Sequence, residues 1–479
     1  MKNSLLALLF FMTISSFGQI FSSYNIGLVS LITPNTSTVS STLGNKYSGC
    51  WGWYQQSKNK EYAISGASNG TYFIDISSPA SPSVSAFVAG RNGTSWRELK
   101  TYQNYCYIVS DDKSPNAFQI VDMQYLPDSV HVVHSGTMYF ERAHTIWIDG
   151  NKMYVGGVTF AANFGSTPMA IYSLATPTNP ALIKKIDTDI PHTVIEYVHD
   201  MYARNDTIFA SCGSQGLHIL KLDLSNDSIY EIGNYRGYAG AGFNHSSFMT
   251  QNGKYLMFCD EEPSSLPLHL VDIQNLGNIQ PMTSFHPFTN TTPHNPYIIG
   301  NKFAVVSCYL DGLMIYDISQ PTQISLAGYF DTYPQGGANT GSYANGPYNG
   351  NWGAYPFLPS KLIIATDMQN GIFLLDATSS FTSSLVNLVN PVGLKAENNA
   401  AASFIFYPNP ANTVLALNYN GTGTSMIRIK DLLGQVILQK EFSEKISENL
   451  DLSALANGSY VISIQNENKH ETKKLLIQH

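Results

Sequence analysis

The stretch Asn69-Gly70-Thr71-Tyr72-Phe73-Ile74-Asp75-Ile76-Ser77 decides how this chain folds. It reads as a tight turn, an apolar β-rich run, then an Asp that opens a second polar turn: a strand bounded at both ends. The phrase returns as Asp311-Gly312-Leu313-Met314-Ile315-Tyr316-Asp317-Ile318-Ser319 and as Asn370-Gly371-Ile372-Phe373-Leu374-Leu375-Asp376-Ala377-Thr378. Weaker copies end at Asp122, Ser173, Asp223 and Asp272, which brings the number to seven. A spacing of roughly 50 residues belongs to propellers and solenoids. One such unit cannot bury its own apolar faces, so the copies must pack on one another.

Each unit opens with a strand starting near Trp51, Trp96, His144, His199, His245, His294 or Trp352. A second strand follows (residues 61–65 and 302–308 are clear cases), the phrase is the third, and a fourth is legible at 84–88, 182–186, 229–233 and 325–330. Four antiparallel strands per unit describe a propeller blade. The last unit has no fourth strand after Asp376, while residues 26–32 are strand-like and lack a unit of their own. The expectation is therefore an all-β fold, a seven-bladed β-propeller over residues 25–380, closed by its N-terminal strand as the outer strand of blade seven. A parallel β-helix would have shorter coils without this hairpin punctuation. The Asp that ends each phrase is expected to bond its own turn. Seven copies of a catalytic acid would serve no chemistry.

Composition narrows the class. Hydrophobic residues at 43% against 13% charged, with 29 Tyr and 24 Phe, fit a β-rich globular chain. A net charge of −8 leaves no basic stripe to neutralise phosphates, which excludes a nucleic-acid partner. Residues 1–18 read as a signal peptide: Lys2, an apolar run from Leu5 to Met12, then Ser16-Phe17-Gly18 at the cleavage positions. That run falls short of the ~20 residues that span a bilayer, and no later segment reads as transmembrane. Five cysteines are an odd number. Cys106, Cys212, Cys259 and Cys308 recur in the strand before the phrase, where neighbouring blades stand too far apart to bridge, so buried thiols are expected.

Beyond a linker at 381–402, rich in Asn, Ala and Pro, residues 403–479 alternate apolar and polar over six or seven short strands, the pattern of a small β-sandwich. This segment carries Tyr407-Pro408-Asn409-Pro410-Ala411, Asp431-Leu432-Leu433-Gly434-Gln435, Asn457-Gly458-Ser459-Tyr460 and the tail Lys473-Lys474-Leu475-Leu476-Ile477. It resembles the C-terminal sorting domain of type IX secretion cargo from Bacteroidetes-type bacteria. The resemblance implies recognition by the type IX secretion machinery and a secreted or outer cell-surface location. The propeller, through Trp51-Gly52-Trp53, Trp96-Arg97-Glu98-Leu99-Lys100 and Phe330-Asp331-Thr332-Tyr333-Pro334, resembles the choice-of-anchor B family of LVIVD-type repeats. That likeness implies fold and export, and it names no chemistry.

Four consecutive units open on His144, His199, His245 and His294, and Asp200 follows His199. In a propeller these positions point to one side of the channel mouth, where imidazoles and carboxylates suit a divalent metal. Loops carrying Asp111, Asp112, Asp260, Glu261, Glu262 and Asp367 should reach the same face. The competing reading has each His bond a neighbouring blade's backbone and wedge the ring, with Trp51, Trp96 and Trp352 as its counterparts. Two longer connections, 335–351 with Tyr343 and Tyr348 and 233–244 with Tyr235 and Tyr238, should cross this face and would suit a glycan or peptide. No His-Glu-x-x-His or phosphate-binding Gly-rich motif is present. The expected function is extracellular binding of an unidentified protein or carbohydrate. The alternative is a metal-dependent hydrolase or lactonase-like enzyme built on the histidines.

Overall fold

The structure, a computed structural model, describes residues 21–36, 39–112, 118–161, 164–286, 288, 290–336, 347–382, 390–391, 405–409, 411–419, 424–431, 436–443, 446–465 and 470–479. The expected signal peptide at 1–18, most of the expected linker at 381–402, Pro410, Gly434 and the loop residues around Tyr343 lie outside these. The chain divides into two compact units, Met1–Val392 and Gly393–His479.

In the first unit, seven antiparallel sheets follow one another along the chain. Their inner strands are Tyr47–Gln55, Arg97–Tyr102, Thr145–Asp149, Asp200–Arg204, Asn244–Met249, Pro296–Ile299 and Asn351–Tyr355. The first six inner strands pack one beside the next, and the seventh packs against Phe303–Ser307 of blade 6 and beside the first, so the ring is closed. Blade 7 supplies three strands of its own and takes Gly27–Ile32 as its fourth, with Gly27 opposite Asp376 and Ile32 opposite Ile372. This latch covers an edge that would otherwise offer unpaired backbone groups to another chain. Ser23–Tyr24 pairs with Ser325–Phe330 of blade 6, and Asn390–Pro391 with Gln280–His286 of blade 5, so the propeller unit takes in more chain than residues 25–380.

The repeated phrase shows why these residues form this element. In blades 1, 2, 4, 5, 6 and 7 its Asp accepts a backbone N–H two residues on: Asp75 from Ser77, Asp122 from Gln124, Asp223 from Ser225, Asp272 from Gln274, Asp317 from Ser319 and Asp376 from Thr378, all at 2.8–3.0 Å. Ser173 does the same for Ala175 in blade 3. The carboxylate ends the strand and sets its exit. At the other end, Gly312 has φ +78°, and a Cβ there would sit 2.1 Å from the Phe330 carbonyl oxygen, so the turn admits only glycine. Apolar side chains from facing blades fill the seams, and all five cysteines are buried and unbridged.

The second unit is a sandwich of a three-stranded and a four-stranded sheet around Leu415, Leu417, Ile427, Ile429, Ile462 and Leu475. Two motif residues pin its last strand, His470–Ile477. Asn409 accepts the Leu476 N–H at 2.8 Å, and Asn457 accepts the His479 N–H at 2.7 Å. Pro408 and Gly458 flank those contacts in sequence. Lys473 is half-buried on the last strand, and Lys474 lies beside it in that strand.

Candidate functional site

The structure brings the four histidines together. Ring centroids run His144–His199 4.2 Å, His199–His245 4.4 Å and His245–His294 4.2 Å, and Trp352 continues the arc at 4.9 Å from His294. Together with Trp96 they surround a recess at the loop-bearing end of the channel. Aromatic side chains from the neighbouring loops pack on the imidazoles: Phe243 at 5.2 Å from His199 and Tyr309 at 4.7 Å from His294.

The arc is built by backbone contacts across blades. His199 Nδ1 lies 3.2 Å from the His245 carbonyl oxygen, and His294 Nδ1 2.5 Å from that of Trp352. A carbonyl only accepts, so both rings carry their proton on Nδ1 and keep the Nε2 lone pair free. This is the wedge geometry, and it is also the geometry that presents an imidazole to a metal. The two readings coexist in the same contacts.

The histidines are not equivalent. Burial disfavours charge on His144, but Asp111 at 2.5 Å outweighs it by attraction and hydrogen bonding, so its affinity for a proton is raised. Asp111 is correspondingly held below the usual carboxylate range, its own burial overcome by the charge on His144. His245 and His294, at 4% and 3% exposure, are pushed down to about 3 by burial, and His199 well below its ordinary value by burial and then by the charge on His144. Proton affinity is thus raised at the His144 end of the arc and lowered at the other three imidazoles.

Glu261 stands opposite His245, with its Oε2 3.7 Å from His245 Nε2, and its Oε1 accepts a hydrogen bond from the Tyr309 hydroxyl. Among the described residues, His199, His245 and Glu261 each offer a ligand atom within 4.8 Å of the other two. His245 Nδ1 is buried and has no hydrogen-bond partner. Asp200 lines the recess but is committed elsewhere. Its Oδ1 accepts the Thr145 hydroxyl at 2.9 Å and the Met201 N–H at 2.8 Å, and burial raises its pKa to about 6.

Two expectations need correcting. Trp51 does not share the tier of Trp96 and Trp352. It meets Trp147 at 6.0 Å and Tyr355 at 4.7 Å, rings set three residues further along their own strands than His144 and Trp352, and Lys100 Nζ lies 4.3 Å from its centroid. In blade 1 that upper place falls beside Gly49, where the Glu98 carboxylate fills the space a side chain would take, 2.5 Å from an ideal Cβ. The loop tyrosines also turn inward. Tyr235 and Tyr238 stack at 5.0 Å, the Tyr238 hydroxyl donates to Asp260 at 2.8 Å, and Tyr348 packs on Tyr309 at 5.5 Å. Asp112, Glu262 and Asp367 contribute nothing to the arc. Glu261 was one of six loop acids expected at this face, and the sequence did not single it out as the partner of two histidines.

Fold and site define an exported-type seven-bladed propeller with a histidine-walled channel mouth. Residues 405–478 match the family described as the secretion system C-terminal sorting domain. A type IX sorting domain is present, and the protein is secreted or held at the cell surface. Among the described residues no helix is long and apolar enough to cross a membrane. A search of curated proteins finds no match. Solved structures similar to this chain include the computationally designed protein Ika8, at 8% identity over 70% of this chain and 98% of that one, with a TM-score of 0.44. A candidate 6-phosphogluconolactonase from Bacteroides uniformis ATCC 8492 is similar at 11% identity, covering 84% and 98%, TM-score 0.45. Another, from Bacteroides fragilis NCTC 9343, is similar at 10% identity, covering 86% and 99%, TM-score 0.45. At such scores these likenesses carry no inference about chemistry.

Proposed function

We propose that the protein is a cell-surface binding module of the choice-of-anchor B type, which takes an extracellular protein or carbohydrate partner at the loop-bearing face of the propeller. In this reading residues 1–18 direct export, 25–380 bind, 381–402 link, and 403–479 are read by the type IX machinery. One observation carries it: four imidazoles from four successive blades converge on one concave, polar recess at that face. Convergence from separate blades onto a rigid scaffold is what a binding site requires.

The test uses the recess tryptophans, Trp96 and Trp352, as reporters. A panel of defined oligosaccharides and peptides is titrated into the full exported chain, and a saturable change in tryptophan emission that is absent from a His199→Ala/His245→Ala variant supports the reading. A panel that binds both proteins alike, or neither, removes it.

The metal-dependent hydrolase remains a second reading because His199, His245 and Glu261 cluster. It expects zinc-stimulated cleavage of a simple ester or lactone such as p-nitrophenyl acetate or δ-gluconolactone, abolished by Glu261→Gln. Cleavage indifferent to zinc and to that substitution rules it out.

A further inference from the structure

The free space in the recess is about 40 Å³. A water needs about 10–15 Å³ on that measure, so the recess has room for about three waters. An ion with its bound water is of that size. Glu261 stands against the His245 wall of the recess and brings a carboxylate to two of the imidazoles.

We infer that His199, His245 and Glu261 hold a divalent transition-metal ion of the zinc class, with water at the remaining position. This rests on the recess being the ligand site and names what sits in it. Two imidazoles and one carboxylate with an open fourth place form a known zinc donor set. The supports a metal site needs are in place. The Trp352 and His245 carbonyls fix the tautomers of His294 and His199, and the Tyr309 hydroxyl holds one Glu261 oxygen so that the other faces the imidazoles. His144 is tied to Asp111 and stands beside the metal set, outside it. Asp200 is likewise outside it. Any larger partner would then meet the loops above the recess and the metal-bound water beneath them.

The experiment titrates chelator-stripped full chain with zinc(II), and with cobalt(II) as a spectroscopic stand-in. One equivalent should bind, with cobalt giving the intense visible bands of a four-coordinate site. His199→Ala, His245→Ala and Glu261→Gln should each lower affinity at least 100-fold. Tyr309→Phe should lower it about 10-fold, the scale seen for groups that orient ligands. His192→Ala, on an exposed loop, should change nothing. Should the alanine variants misfold, X-ray absorption on the zinc-loaded native chain counts imidazoles directly, and fewer than two overturns the assignment. No stoichiometric zinc, or zinc retained by all three variants, also overturns it. If zinc fails but an oligosaccharide or peptide still alters Trp96 and Trp352 emission, the metal assignment falls while the binding reading stands; if zinc binds and no panel member does, the reverse holds.

Discussion

The two halves of the channel wall occupy equivalent places in the ring yet differ in kind. Blades 3 to 6 present His144, His199, His245 and His294, of which His199 and His294 bond the next blade's carbonyl and still expose a lone pair. Blades 7, 1 and 2 present Trp352, Gly49 and Trp96, with the Glu98 carboxylate filling the gap over Gly49 and accepting the Trp352 indole N–H at 3.1 Å. Topology is therefore not what makes the site. The same inner-strand position closes the ring in one half and leaves chemistry available in the other.

If the Trp half is the one that holds the ring, truncating it should cost more than neutralising the His half. Trp352→Ala removes the ring packed on His294 and Tyr309 and should destabilise by about 3–5 kcal/mol. His294→Leu keeps volume and burial while losing one bond to the Trp352 carbonyl, and should cost about 1–2 kcal/mol. Denaturant unfolding of the two variants decides, and the opposite order would make the histidines the structural wedge.

Gly49 offers the next test. Gly49→Ala drives a methyl into the Glu98 carboxylate and should cost about 1–3 kcal/mol. Most of that cost should vanish in a Glu98→Ala background, because the clash is with a movable carboxylate and not with backbone. A cost that persists in the double variant would mean that the blade 1 to blade 2 seam excludes the methyl by itself.

How far the sequence reached follows the same line. The propeller, its seven blades and the latch at 26–32 were legible, because a strand and an Asx turn are made of contacts between residues two to five apart. The four-histidine convergence was legible too, since it follows from equivalent positions in a repeat. Glu261 and Asp111 were read as acids of the same face but not matched to their histidines, and neither Tyr309 nor the displacement of Trp51 from its tier was read at all. Each depends on a side chain reaching across a seam to a residue some 30 to 50 positions away, and no period in the chain encodes that reach. The inward turn of Tyr235 and Tyr238 was missed for the same reason: their partner, Asp260, belongs to the next blade.

The two regions should also respond to pH in opposite senses. At the seam of blades 6 and 7, Asp331 and Asp367 are fully buried, and burial raises each to about 7, with Asp311 adding repulsion at Asp331. A carboxyl raised above its unfolded value of about 3.9 contributes stability that is complete below that value and lost as pH climbs through 7. The loss should be on the order of 1–3 kcal/mol, and Asp331→Asn with Asp367→Asn should flatten it. The neutral His245 and His294 act the other way in chelator-treated protein: their stability is present above about 6.5 and lost as pH falls toward 3. From pH 4 to about 6.5 the two contributions oppose, so the thermal unfolding midpoint should vary little there and fall only as pH climbs through 7. A profile that the Asp substitutions leave unchanged would show that the seam acids are not the source of the alkaline limb.

The smallest effect is the control that gives the comparison meaning. The Asx turn closing the third strand is common to both halves, so its loss should not distinguish them. Asp272 in blade 5 and Asp376 in blade 7 each accept one backbone N–H at 2.9 Å and one side-chain donor, the Gln274 amide and the Thr378 hydroxyl, and neither is buried. Asp272→Ala and Asp376→Ala should each cost about 1 kcal/mol, and equal within error. Blade 3 already uses Ser173 in this role, at a longer 3.2 Å, so Ser173→Asp should be neutral or gain a few tenths of a kcal/mol. Unequal costs at 272 and 376 would mean that the halves differ in their scaffold as well as in their channel tier. The contrast between histidine and tryptophan could then no longer be read as chemistry laid on one uniform ring.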